Sequence, residues 1–365
     1  MEVKFVDLKQ AFKYLDDDIL YSIKNVIESR NFILGEKVTE FEQAFSAYTD
    51  TPYCAALSNG LDALTIALLA AGIGENDEVI VSSNTFIATW LSIKKVGAKP
   101  MPIDSCPITQ NLDIRKIDQA LTKRTKAIVP VHIYGTLCDM KSIHQFAKSN
   151  NLIVIEDAAQ AHGAMRDGYS AGHFSDAAAF SFYPTKNLGA YGDAGAVISK
   201  SSALIERVKL IRNYGSSEKY IHTAVGGNYR MDEIQAAVLI EKLKLLSENN
   251  MSRSVIAKYY SENIDNSSIQ LPHNDEGSLP SWHLYTIRAK KRDKVIEHLK
   301  NKNIQFGIHY PIPPHLQECF YRGYSELSLE VTEKISETTL SLPLYPNMPF
   351  SQVEYVVDAM NSLKL

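Results

Sequence analysis

The chain has 365 residues, 45% of them hydrophobic and 22% charged, with a formal net charge of -4, enough for one large domain plus a smaller one. Lys and Arg are scattered and form no basic stripe, which argues against a nucleic-acid binder, so an acidic ligand must be held locally. Cys54, Cys106, Cys138 and Cys319 lie far apart, in neither a CxxC pair nor a metal-ligand spacing with histidine, and read as reduced thiols of a cytosolic protein.

In chain order, the N-terminal segment MEVKFVDLKQAFKYLDDD lacks a basic start followed by an apolar run and does not read as a signal peptide. Leu57-Ser58-Asn59-Gly60-Leu61-Asp62-Ala63-Leu64 sets a glycine turn at the head of an Ala/Leu-rich helix. The apolar run from Leu61 to Gly74 is broken by Asp62 and too short to span a bilayer, so a cytoplasmic protein is expected. EVIVSS from Glu78, KPMPID from Lys99, KAIVPVH from Lys126 and NLIVIED from Asn151 are short β-branched runs with helix-length segments between them. That alternation predicts an α/β fold built of βαβ units on a largely parallel sheet. AAAFSFYP from Ala177 and AGAVISK from Ala194 follow with a loop too short for a crossover helix, so they should pair antiparallel or sit at an edge. Met231 to Asn249 has helical apolar spacing, and a domain junction is expected just after it. This gives a large domain over 1–249 and a smaller C-terminal α+β domain over 250–365. In the second, Trp282 to Ile287 predicts a strand, a charged helix follows from Lys291, and Pro311 to Pro314 form a proline-rich tract.

Three features carry chemistry. Asp157 ends an apolar strand, where ligands collect in open α/β sheets, although alone it also reads as a turn or helix cap. Lys186 follows another apolar strand in Ser181-Phe182-Tyr183-Pro184-Thr185-Lys186-Asn187-Leu188-Gly189. A desolvated lysine loses its proton more readily and can form a Schiff base with an aldehyde, whereas an exposed one is only solvated surface. At Gly60 and Leu61, free N–H groups heading a helix can face a phosphate, or the helix is simply a capped core element. Together the three meet the needs of a pyridoxal cofactor: an acid for the ring nitrogen, an amine and an anion cradle.

On these motifs the sequence resembles the DegT/DnrJ/EryC1/StrS sugar aminotransferases over nearly its whole length. The resemblance implies a fold-type-I enzyme using pyridoxal 5'-phosphate, with Lys186 as the covalent attachment point and proton shuttle. It further implies that Asp157 pairs with the ring nitrogen, Gln160 bonds the ring hydroxyl, and Ser181 with the backbone of Gly60 and Leu61 holds the phosphate. Phe86 would stack on the ring. Asn228, in Gly227-Asn228-Tyr229-Arg230, would reach the phosphate of the neighbouring subunit, making a homodimer with shared sites. Many members carry Thr or Ser where this chain has Leu61; one lost neutral hydrogen bond, about 0.5–1.5 kcal/mol, should be tolerated by a phosphate with other donors.

The tracts beginning at Ser83, Val131 and Gly307 are similar to the branch that aminates C-3 of dTDP-linked 6-deoxy-3-ketohexoses. That likeness implies sugar contacts from Tyr183, His309 and Tyr310 and a nucleotide-phosphate contact from Lys219, with L-glutamate as donor and the galactose-configured amine as product. The glucose epimer, or amination of a 4-keto sugar, stands as the alternative. Two rivals from other classes lack support. A nicotinamide-dependent enzyme needs an early G-x-G-x-x-G after a strand, and Gly72-Ile73-Gly74 follows a helix. An idle scaffold would be expected to lose Lys186 or Asp157.

Overall fold

The computed structural model describes residues 1–12 and 15–364. A single helical turn at Leu8–Ala11 and two longer helices, α1 (Asp16–Ser29) and α2 (Glu36–Tyr48), precede a seven-stranded sheet. Its strands are β1 (Tyr53–Leu57), β2 (Glu78–Ser82), β3 (Lys99–Ile103), β4 (Thr125–Val129), β5 (Ile153–Asp157), β6 (Ala177–Ser181) and β7 (Gly195–Ser199), in spatial order β1-β7-β6-β5-β4-β2-β3. The β2–β3, β2–β4, β4–β5 and β5–β6 pairs are parallel, and β7 runs antiparallel to both β6 and β1. One strand therefore opposes the other six. The expected antiparallel pairing of the last two apolar runs is found, and β7 lies inside the sheet because β1 covers its free side.

The near-continuous apolar runs of these strands follow from helices on both faces. With a side-chain period of two, Val79, Val81, Val129, Ile155 and Val197 join the core beneath α3 (Gly60–Ala70), α4 (Ile87–Lys95) and α5 (Ser202–Arg212). Ala178, Phe180 and Ile198 point the other way, against Phe41 and Phe45 of α2 and Leu239 and Leu243 of α6 (Glu233–Leu243). Each fully buried Val, Leu, Ile or Phe contributes roughly 1.5–3 kcal/mol, so the alternation fixes which face each strand presents.

The single helix expected from Met231 to Asn249 is two: α6 ends at Leu243 and α7 (Leu246–Asn263) begins after a break at Lys244-Leu245. No Gly or Pro marks the break. Leu243 and Leu246 are both buried on either side of it, so the apolar periodicity runs through unbroken. Helix α7 passes through position 249/250.

C-terminal to it, a three-stranded sheet of β8 (Ile269–Gln270), β9 (Tyr285–Ala289) and β10 (Thr339–Leu342) packs with α8 (Arg292–Asn301) and α9 (Phe350–Ser362) around a core of its own. The strand expected from Trp282 starts three residues later. Trp282 has a left-handed backbone (φ 47°), and its carbonyl and that of His283 accept from the buried Arg253 guanidinium, not from a neighbouring strand. Among the described residues, no helix is long and apolar enough to cross a membrane.

Candidate active site

One edge of the large sheet builds one wall of a cavity of about 620 Å³. The carboxyl ends of β1, β2, β4, β5 and β6 lead into segments whose Asn59–Leu61, Thr85 and Phe86, Val131, Asp157 and Gln160, and Ser181, Tyr183 and Lys186 line it. The reversed strand β7 presents its amino end at the same edge and adds Asp193 from the preceding loop. The opposite wall comes from the C-terminal region: His283, His309 and Tyr310.

At the head of α3, Asn59 accepts from the Asp62 N–H (2.8 Å), while the N–H groups of Gly60 and Leu61 have no acceptor among the described residues. These two amides, at the positive end of an 11-residue helix and beside the Ser181 hydroxyl, could receive an anion. Only glycine fits at position 60, because a Cβ there would stand 2.6 Å from Ser181 Cβ.

Asp157 is buried. Its Oδ2 accepts from the Thr89 hydroxyl at 2.7 Å and its Oδ1 from the Ala159 N–H at 3.1 Å. Burial raises its pKa, and these two bonds with the Lys186 charge oppose the rise. Gln160 Oε1 accepts from the Tyr134 N–H (2.6 Å), and Gln160 Nε2 donates to the Tyr310 hydroxyl (3.0 Å). The Tyr310 ring lies 5.5 Å from that of Phe86, whose side chain is otherwise open to the cavity. The Tyr134 hydroxyl donates to the His309 carbonyl, and His309 Nδ1 meets Ser341 Oγ at 2.8 Å.

Among the described residues Lys186 has no ion-pair partner; burial pushes its pKa down to about 8 against the opposing pull of Asp157. Its loop is held from behind. Gly189 packs on the Pro184 carbonyl, where a Cβ would come within 2.3 Å, and its own carbonyl accepts from the buried Lys242 ammonium (2.7 Å). Asn187 Nδ2 donates to Ser281 O (2.7 Å) and to Asn250 Oδ1 (2.8 Å), and Asn250 Nδ2 donates to His162 O (2.7 Å). Backbone carbonyls at both ends of this chain fix the orientation of both amides. Asn187 Oδ1 is thus an acceptor toward His283 Nδ1 (3.1 Å), which must carry the proton. His283 is a neutral imidazole with a bare Nε2 on the cavity wall, and burial followed by the Lys186 charge holds its pKa well below the usual value. The same causes take His309 down to about 4.

The structure therefore gathers Gly60, Leu61, Phe86, Asp157, Gln160, Ser181, Tyr183, Lys186, His309 and Tyr310 around one cavity. It does not bring Lys219 or Asn228 there. Both are exposed on the segment 213–229, which also displays Tyr220 (84% exposed) and Val225 (97%). Sequence reasoning missed Asp193, Thr89 and His283. The sequence places His283 only within the expected strand, and a polar residue two places before an apolar ladder is a faint signal.

The donor set fits pyridoxal 5'-phosphate: unpaired helix-end amides with a hydroxyl for its phosphate, a buried carboxyl for its ring nitrogen, and a lysine with a lowered pKa for its aldehyde. The comparisons agree. The pattern of the DegT/DnrJ/EryC1/StrS aminotransferase family matches residues 13–361. The dTDP-3-amino-3,6-dideoxy-alpha-D-galactopyranose transaminase of Aneurinibacillus thermoaerophilus is 46% identical over 98% of this chain and 99% of its own. The dTDP-3-amino-3,4,6-trideoxy-alpha-D-glucose transaminase of Streptomyces venezuelae is 41% identical over 98% and 95%. The crystal structure of DesV from S. venezuelae, in complex with a ketimine intermediate, superposes with a TM-score of 0.97 at 41% identity, covering 99% of this chain and 98% of that one.

Proposed function

This chain belongs to the DegT/DnrJ/EryC1/StrS aminotransferase family, and we propose that it transfers the amino group of L-glutamate to C-3 of a dTDP-6-deoxy-hex-3-ulose, giving the galactose-configured 3-amino sugar. It is a nucleotide-sugar aminotransferase that depends on pyridoxal phosphate. The carbon position and the dTDP carrier are supported by the two C-3 transaminases above; the galactose configuration draws on the more similar of the two. The observation that carries the reading is the meeting of Lys186, Asp157 and the free amides of Gly60 and Leu61 in one cavity.

Pyridoxal phosphate, when bound, supplies an aldehyde that captures amines and a ring that draws electrons from the reacting carbon. In the proposed site, Asp157 bonds the ring nitrogen, Gln160 the ring hydroxyl, Phe86 stacks on the ring, and Ser181, Gly60 and Leu61 hold the phosphate. A pKa near 8 keeps a useful fraction of Lys186 neutral, ready to take a proton from one carbon and return it to another. The glutamate and sugar halves run these proton shifts in opposite senses, so one lysine serves both as base and as acid. Tyr183, His309 and Tyr310 face the hexose. Burial holds the Tyr310 hydroxyl protonated; with Gln160 donating to its oxygen, its own hydrogen is available to the substrate.

Asn228 and Lys219 complete the site from the other subunit of a homodimer, Asn228 toward the cofactor phosphate and Lys219 toward the nucleotide. The exposed apolar side chains of the segment 213–229 support burial against a second copy. The reading also takes 1–249 as the cofactor-binding domain and 250–365 as the small domain, in a cytoplasmic enzyme whose four cysteines are unpaired.

The test is incubation with glutamate and a panel of 3-keto and 4-keto nucleotide sugars, with products identified by mass and NMR. The xylo 3-keto epimer should show the highest kcat/KM. Preference for the ribo epimer would overturn the configuration, and preference for a 4-keto sugar would overturn the carbon.

A further inference from the structure

Two hydroxyls stand in line behind Asp157. Thr89 Oγ1 lies 2.7 Å from Asp157 Oδ2 and 2.7 Å from Thr85 Oγ1. Thr89 is wholly buried in the first turn of α4, Thr85 is 3% exposed and lines the cavity, and Phe86 between them caps the same helix. Hydrogen counting sets the direction of the chain. With Asp157 ionised the carboxylate only accepts, so the single Thr89 proton goes to Asp157 at 2.7 Å and not to the Phe86 carbonyl at 3.3 Å, and Thr85 must then donate to the Thr89 oxygen.

We infer that Thr89, backed by Thr85, is a positioning residue for Asp157, a two-hydroxyl relay that holds its carboxylate ionised and aimed into the cavity. The inference rests on the proposed pairing of Asp157 with the ring nitrogen. A fully buried carboxyl is pressed toward its neutral form, and a neutral acid would hold the ring proton poorly. The Ala159 N–H engages Oδ1 from the backbone, so Oδ2 depends on a side chain, and among the described residues Thr89 is the only side chain bonded to it. The Thr85 donation polarises the Thr89 hydroxyl and strengthens its bond to the acid. Because Phe86 and Thr89 sit on one helical turn, the ring's stacking partner and the clamp on its acid move together.

The experiment uses holoenzyme reconstituted with pyridoxal phosphate carrying 15N in the ring. Two quantities are read: the ring-nitrogen chemical shift and the cofactor dissociation constant. Thr89→Val, which keeps the shape and removes the hydroxyl, should move the shift toward the unprotonated ring and weaken cofactor binding by about tenfold to a hundredfold, the range for a hydrogen bond to a charged group. Thr89→Ser should keep both near the parent values. Thr85→Val should give a smaller change of the same sign, and it serves as the second variant should Thr89→Val fail to fold. In an Asp157→Asn background the Thr89→Val effect should shrink, because the acceptor is no longer charged. An unmoved shift in both folded valine variants, or an undiminished Thr89→Val loss in the Asp157→Asn background, would overturn the relay while leaving the Asp157 assignment intact. An Asp157→Asn holoenzyme with the parent shift and affinity would overturn that assignment and the relay with it.

Discussion

The carboxyl edge of the large sheet and the segment 213–229 carry functional candidates in opposite ways. At the edge, Asp157 and Gln160 are bonded within their own chain, and the Lys186 loop is held by Asn187 and by Lys242. Along the segment, Lys219 and Asn228 stand exposed beside Tyr220 and Val225, and neither lines the cavity at the sheet edge. The first region is preorganised by the fold of one chain. On the proposed reading the second is completed only by another copy, so what it does should depend on assembly where the first does not.

The strongest way to break this contrast is at Lys186. Lys186→Ala should lower turnover by more than about a thousandfold, since general acid–base catalysis alone contributes roughly 10²–10⁴-fold and covalent capture is lost as well. Cofactor should still bind through the remaining contacts, and borohydride should fix it covalently to Lys186 in the parent only. An adduct mapped to another lysine would refute the edge as the reacting centre.

Asn228→Asp should also inactivate, by bringing a carboxylate against a phosphate. Mixed with Lys186→Ala, it should then regain roughly a quarter of parent activity. Half the dimers formed are mixed, and a mixed dimer has one site with both lesions and one with neither. Proven subunit exchange without recovery would return Asn228 to a structural role. Lys219→Ala is expected to act more mildly, raising KM for the nucleotide sugar about tenfold while leaving the glutamate half-reaction unchanged. An equal effect on both halves would argue against a nucleotide contact.

The smallest effect tests the buried region alone. Burial depresses both Lys186 and Lys242 to about 8 from 10.5. Below pH 8 folded and unfolded chains both carry these charges and the cost of burying them is felt in full. As pH rises toward 10.5 the folded lysines release their protons first, so the cofactor-free protein should gain stability across that window. Urea midpoints measured through it should climb in the parent and climb less in Lys242→Met. Parallel profiles would show that Lys242 is not the depressed group.

The strands were legible because buried strands are apolar on both faces, and the reversed β7 because its connection to β6 is too short for a crossover. The cavity wall at the sheet edge was legible because Asp157 and Ser181 end their strands and Gly60 and Lys186 follow shortly after one, where sequence neighbours stay neighbours in space. The other wall was harder. His283 reaches the cavity only because Arg253 and Trp282 bend the chain before β9 begins, and Thr89 meets Asp157 across 68 residues. The pause between α6 and α7 escaped notice because leucines are buried on both sides of it, with no Gly or Pro to announce the turn.

The Asn187–Asn250 amide chain has a bearing on protein engineering. Anyone exchanging C-terminal regions between relatives to alter sugar preference would naturally cut near 249/250. That cut separates Asn187, beside the lysine, from Asn250, Ser281 and His283, whose groups orient it. A chimera should therefore inherit those three residues from the parent that supplies the lysine loop, or carry their equivalents, whatever else is exchanged beyond them.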